Sequence, residues 1–231
     1  MKIRETVNKY LRKGHDHVIG YADLRNLLTG KYTQYGYGIV FGRRLDDSVI
    51  DSIETGPNVD YYNLYQAVNV ELAEIARSVA AELCDNGVEA VSIAPTLTAS
   101  DRNEHFDRTL SLDFSHKMVA TRAGLGWIGK SGLLITYDYG PRVRLVSVLL
   151  DYPVDCCREP VLKSECQDCD LCVQNCPANA LSGKEWDITT RREEFFDAFA
   201  CREKCRELGD YIGKGIRLCG ICVSVCPVGK R

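Results

Sequence analysis

Residues 166–177 read Cys-Gln-Asp-Cys-Asp-Leu-Cys-Val-Gln-Asn-Cys-Pro, a C-x2-C-x2-C-x3-C-P run. Three thiols two residues apart can each take one corner of a four-iron cubane. The fourth, beyond a longer step and followed by proline, points away toward a neighbouring cluster. A zinc site needs only paired CxxC knuckles and leaves both the dense third cysteine and the Cys-Pro step unexplained. Cys166, Cys169, Cys172 and Cys176 are therefore candidate ligands of 4Fe-4S clusters.

A second, incomplete run lies downstream: Cys219, Cys222 and Cys226-Pro227 give C-x2-C-x3-C-P, one thiol short of the first. Cys201 and Cys205 lie upstream, and spacing does not choose between them. Under the crossed pattern of two-cluster ferredoxins, one cluster takes Cys166, Cys169, Cys172 and Cys226, and the other Cys176, Cys219, Cys222 and one of Cys201 or Cys205. Two neighbouring clusters make an electron conduit. Iron saturated by protein sulfur offers no open position to a substrate, so such a conduit needs a partner at its inner end. Cys156 and Cys157 are adjacent, so their side chains diverge and they are weaker ligand candidates. Cys84, at the end of an apolar-periodic stretch, reads as a small buried hydrophobe.

The chain has 231 residues and 12 cysteines, with Cys84 alone in the first 150. That asymmetry favours metal chemistry in a C-terminal module over a disulfide-stapled fold. The N-terminal MKIRETVNKYLRKGHDH has no apolar run of export type, and no segment approaches the roughly 18 apolar residues of a membrane span. A reducing, cytoplasmic location without membrane contact is the simplest expectation. The formal charge of −3 supplies no broad basic surface, so a dominant grip on nucleic acid is not indicated.

Ahead of the cysteines, the pattern is that of an α/β (α+β) domain with a central sheet, over residues 1–153, followed by a small ferredoxin-like two-cluster domain over 154–231. Ile3, Val7, Tyr10 and Leu11 have helical spacing, with Gly14 as a stop. YGIVF (37–41) suits a buried strand. Leu64, Val68, Leu72, Ile75, Val79 and Leu83 mark a long helix ended by Asn86-Gly87. Val88–Ala94 is a second strand, giving a strand–helix–strand unit. A polar stretch, TASDRNEHFDRT, crosses to Asp113, which could cap a helix over FSHKMVATRA. Residues 132–137 and 143–150 read as two strands forming a hairpin around Asp138-Tyr-Gly-Pro141.

Between that helix and the first of those strands stands GLGWIGKS (124–131), which fits the phosphate-loop pattern GxxxxGK[ST]. A phosphate loop follows a strand and opens a helix, so that helix N-terminal amides face the phosphates. Here a helix precedes and a strand follows. The stretch reads instead as a tight turn that packs Trp127 inward or also frames a cofactor or substrate pocket, with Lys130 as a pocket-wall or surface lysine.

The segment LSLDFSHKMVATRAGLGWIGKSGLLITYDYGPRVRLVSVLL resembles the core of epoxyqueuosine reductases. CQDCDLCVQNCPANAL and CGICVSVCP resemble their double 4Fe-4S domain, a layout shared with reductive dehalogenases. The resemblance implies an iron–sulfur oxidoreductase in which electrons pass through two 4Fe-4S clusters to cobalamin, which reduces an organic substrate. It implies Asp113 as the catalytic acid, Gly124, Gly126, Trp127, Gly129 and Lys130 as the cofactor-binding turn, and Cys201 as the remaining ligand of the second cluster. The implied partners are an electron-donor protein such as a flavodoxin or ferredoxin and a small organic substrate. In the family a further C-terminal segment helps hold tRNA, and this chain ends four residues after Pro227, so the expectation is a short form with tRNA ranked below a small molecule. The segment around Asp113, SLDFSHKM, departs from the family's acidic and proline-containing version. The alternative is a noncatalytic ferredoxin-like electron-transfer protein or iron–sulfur subunit.

Overall fold

The computed structural model describes residues 3–11, 14, 16–98, 101–213 and 215–230. In chain order its elements are α1 Ile3–Tyr10, β1 His17–Asp23, β2 Tyr37–Arg44, α2 Asp47–Asp51, α3 Val59–Asp85, β3 Ala90–Ile93, α4 Glu104–Thr109, α5 His116–Arg122, β4 Gly126–Ile128, β5 Leu134–Thr136, β6 Val143–Leu150, α6 Leu171–Gln174, α7 Ala198–Asp210 and α8 Ile221–Ser224. Contacts gather the chain into two compact units. One comprises Met1–Arg44, Val68–Leu125 and Arg144–Val161, the other Leu45–Ala67, Gly126–Val143 and Leu162–Arg231. Each unit is thus assembled from three separated segments. Among the described residues, no helix is long and apolar enough to cross a membrane.

The first unit is built on a four-stranded sheet in the order β1-β2-β6-β3. β1 and β2 pair antiparallel, His17 opposite Arg43 and Asp23 opposite Tyr37, and β3 and β6 pair antiparallel, Ala90 opposite Leu150. YGIVF lies in β2, where Ile39, Val40 and Phe41 are fully buried. The long helix is α3, and its Val68, Leu72, Ile75, Val79 and Leu83 are all buried. Each such side chain contributes about 1.5–3 kcal/mol on leaving water. The strand–helix–strand order β2–α3–β3 is present, but β6 lies between the two strands in the sheet.

Four local expectations are corrected here. β5 pairs with β4 rather than β6, with Trp127 opposite Ile135, because the chain reverses at residues 129–133 and turns again where Thr136 bridges Gly140. The polar stretch before Asp113 carries a short helix, α4, whose N-cap Asn103 accepts from the Phe106 amide. Helix α5 is capped by Ser115, whose hydroxyl accepts from the Met118 amide, so Asp113 lies outside the cap. Cys84 is exposed, since the apolar stripe of α3 passes through Leu83 and leaves its neighbour facing water. Strand β1 carries no apolar run to mark it in the sequence, although Val18, Gly20 and Ala22 alternate with less buried residues along it.

Candidate metal centre

All twelve cysteines are free thiols. In the second unit nine of them sort into two cavities. One, of about 70 Å3, is lined by Cys166, Cys169, Cys172, Cys222 and Cys226; the other, of about 190 Å3, by Cys176, Cys201, Cys205, Cys219 and Cys222. Cys222 and Ser131 border both cavities. Short elements present these thiols. α6 carries Cys172 just past the first loop, α7 carries Cys201 and Cys205, and α8 carries Cys222. Cys176 and Cys226 each stand immediately before a proline, where a helix cannot continue from its preceding residue without strain.

The electrostatics sort the thiols in the same way. Burial, reinforced by Cys166, Cys226 and Cys169, pushes the Cys172 thiol up to about 11. Burial also raises Cys226, which faces Cys166 and Cys169, and Cys219, which faces Cys201 and Cys176. Cys222, enclosed between both groups, is raised by burial and then by Cys219 and Cys201. A hydrogen bond joins the Cys201 and Cys205 thiols, lowering the first and raising the second. Packed thiols of this kind cannot all ionise unless cations among them compensate the charge. Among the described residues, no three Cys, His, Asp or Glu side chains converge as a site for a single metal ion.

The GLGWIGKS segment buttresses the first of these cavities. Gly124, with a left-handed φ of 67°, ends α5 in the first unit. From Gly126 the chain belongs to the second unit and forms the β4–β5 hairpin. A Cβ on Gly126 would lie 1.9 Å from the Ile135 carbonyl oxygen, so only glycine permits the two strands to approach this closely. The hairpin then delivers Trp127, whose indole N–H donates to Cys166 Sγ at 3.4 Å. Gly129 also abuts Cys166, since a Cβ there would sit 3.3 Å from its sulfur. Lys130 is 6% exposed and donates to the Gln167 carbonyl at 2.7 Å and to Asp170 Oδ1 at 2.6 Å. It is a wall of the cysteine cavity and ties down the loop between Cys166 and Asp170. The carboxylate's hydrogen bond holds its pKa above the usual lysine value.

Sequence reasoning missed Arg142. Its guanidinium is fully buried and pairs with Asp47 at 3.0 Å and Asp51 at 2.6 Å, while also reaching the Ser224 carbonyl at the end of α8. No local motif marks it, because its carboxylates lie more than ninety positions upstream.

Asp113 lies elsewhere, in the first unit, on a cavity of about 300 Å3 that Lys31, Tyr32, Asn103, Phe114 and His116 also line. Phe114 meets Tyr32 and His116 edge-on, with ring centroids 5.8 and 5.2 Å apart. His116 Nε2 lies 2.9 Å from the Ala94 carbonyl and Nδ1 2.9 Å from Ser147 Oγ. A carbonyl only accepts, so Nε2 carries the proton and Nδ1 accepts from the serine. Burial lowers this imidazole to about 4, which keeps it neutral.

With the thiols placed, comparison with known proteins becomes informative. Residues 165–229 match the 4Fe-4S double cluster binding domain. The chain is also similar in sequence to epoxyqueuosine reductases and to a reductive dehalogenase. It is 31% identical over 125 residues to an epoxyqueuosine reductase of Listeria monocytogenes, a match covering 51% of this chain and 30% of that protein. It is 33% identical over 123 residues to the tetrachloroethene reductive dehalogenase of Desulfitobacterium hafniense, covering 48% of this chain and 22% of that one. The fold is shared with a catabolic reductive dehalogenase at a TM-score of 0.72 and 18% identity, over 99% of this chain and 31% of the other. The matched stretches thus take up less than a third of these relatives.

Proposed function

We propose that this chain is an iron–sulfur oxidoreductase in which two 4Fe-4S clusters carry electrons to an acceptor that reduces an organic substrate. The observation that supports it best is the pair of cysteine-lined cavities sharing Cys222 and Ser131 as a common wall. One cluster is assigned to Cys166, Cys169, Cys172 and Cys226, the other to Cys176, Cys219, Cys222 and one of Cys201 or Cys205. The donor set fits, because nine free thiols stand ready and the spacing pattern is that of four-iron sites. When bound, the clusters supply one-electron transfer. The protein supplies the insulation, burying Trp127 and half-burying Cys222, and a donor N–H to one sulfur. In functional terms the chain divides near residue 153, since the nine cavity thiols follow it and Asp113 precedes it.

For the acceptor, the relation to a reductive dehalogenase whose structure is described in terms of B12-dependent dehalogenation favours cobalamin. Drug-sized ligands already fill about 300–1,000 Å3, and a corrinoid is larger still. The cavities within the first unit are about 300 and 400 Å3, so a corrinoid would have to lie outside them. Asp113 is assigned as proton donor to a small organic substrate at the 300 Å3 cavity, because cleavage of a carbon–oxygen or carbon–halogen bond leaves charge that a nearby acid discharges. A flavodoxin or ferredoxin is the assigned electron donor, and no membrane is involved.

The test is anaerobic purification with iron, sulfide and corrinoid analysis. About eight iron and eight sulfide per chain are expected, with a stoichiometric corrin spectrum after incubation with cobalamin. Zinc without sulfide would overturn the cluster assignment, and failure to take up any corrinoid with both clusters intact would overturn cobalamin. Asp113→Asn is expected to abolish turnover of a reducible substrate with iron content unchanged; full activity would remove Asp113 from the reaction.

A further inference from the structure

Five thiols line the larger cysteine cavity, whereas a four-iron cubane takes four. Cys176 follows α6, and Cys219 and Cys222 flank the start of α8, whereas Cys201 and Cys205 both come from the interior of one helix. They stand four residues apart on α7, a spacing that puts both on one face, and both line this cavity. The helix that presents them is fixed at both ends. Asp197 caps it by accepting from the Phe199 amide at 2.9 Å and the Ala200 amide at 3.0 Å. Near its other end Gly209 passes so close to Ile216 that a Cβ would meet the Ile216 carbonyl oxygen at 1.8 Å. Backbone motion therefore does not single out either thiol; rotation about two side chains decides which sulfur faces the cavity.

We propose that Cys201 and Cys205 form an exchangeable ligand pair: either sulfur binds the fourth iron of the second cluster, and the other remains beside it as a thiol. In the exchange one iron–sulfur bond to cysteine breaks as the other forms. The incoming thiol's proton passes to the outgoing sulfur, so total charge and iron oxidation state are unchanged. The spare thiol serves as a reserve ligand if its neighbour is oxidised or alkylated. This inference rests on the double-cluster reading above and extends it.

The full chain is purified anaerobically as wild type, Cys201→Ala, Cys205→Ala and the double variant. The wild type and both single variants are expected to hold about eight iron and eight sulfide, and the double variant about four. Cluster loss in one single variant alone identifies a fixed ligand and overturns the exchange. Loss in both, or full iron in the double variant, overturns it as well. A second measurement avoids mutation: wild-type holoprotein is alkylated with iodoacetamide and the peptide spanning the pair is sequenced by mass spectrometry. A single label distributed over both positions in different molecules is expected, and a label confined to one position refutes the proposal. A wild type with iron well below about eight instead sinks the double-cluster reading itself, and the exchange with it.

Discussion

The Lys130 ammonium lies 2.6 Å from the Asp170 carboxylate while donating at 2.7 Å to the Gln167 carbonyl. One buried cation thereby binds both ends of the Gln167–Asp170 stretch, which follows Cys166 and carries Cys169. Replacing it with methionine keeps the apolar stem and leaves the carbonyl unpaired, a loss of about 1.5–3 kcal/mol for a charged hydrogen bond. Lys130→Met is expected to lower anaerobic denaturation stability by that amount and to deplete the cluster of the Cys166 set. Lys130→Arg retains the charge on a planar fork that does not fit the same two acceptors, so partial loss is expected. Wild-type iron content and stability in Lys130→Met would show that the loop holds itself.

Trp127 donates its indole N–H to Cys166 Sγ. Hydrogen bonds to cluster sulfurs stabilise the reduced, more negative state and raise the reduction potential. Trp127→Phe keeps the ring and removes the donor. One of the two clusters is expected to shift to a more negative potential in an EPR-monitored redox titration, with the other unmoved. Coincident titrations for variant and wild type would assign the indole to packing alone.

Arg142 is buried among Asp47, Asp51 and the end of α8. Neutralising its partners strands a guanidinium away from water, at a cost of about 3–5 kcal/mol. Asp47→Asn combined with Asp51→Asn is expected to destabilise the protein by that order, and either single change by less. Denaturant midpoints at constant slope provide the measurement. An additive, sub-kcal effect in the double variant would mean that the guanidinium finds water.

His116 ties pH to stability in the first unit. Burial lowers its pKa from 6.5 to about 4. The unfolded chain therefore takes up a proton below pH 6.5 that the folded chain refuses until about pH 4. The stabilisation is complete above 6.5 and is lost as pH falls through that window. Because the residue keeps intermediate exposure, about 2–3 kcal/mol is the expected size. An NMR titration of the His116 ring should show a midpoint near 4, and His116→Gln should flatten the acid limb of the stability profile. A midpoint near 6.5 would show the ring to be solvated.

The long helix, β2, β3 and the cysteine runs were legible from sequence because their signals are local: a 3.6-residue apolar period, a short branched run, a fixed spacing of thiols. The failures share the opposite property. β5 follows a turn-rich stretch that the sequence pairs with 143–150, whereas it pairs with Gly126–Ile128, a segment the sequence shows only as a turn. The capping residue of α5 changed from Asp113 to Ser115 by two positions, within the usual uncertainty of helix starts. Arg142 has its carboxylate partners more than ninety positions upstream, where no local pattern connects them.

By itself, the sequence marked the cysteine module as a candidate iron–sulfur site, since three thiols two residues apart and two Cys-Pro steps repeat the spacing of four-iron sites. It also excluded a phosphate loop at GLGWIGKS, because the order of helix and strand around a motif is a property of the chain. Only the tertiary structure decided what that motif does instead. Trp127, Gly129 and Lys130 converge on a loop some forty residues downstream, and Cys226 joins Cys166 across sixty. Such contacts depend on close packing and shared burial between distant segments, which no local pattern encodes.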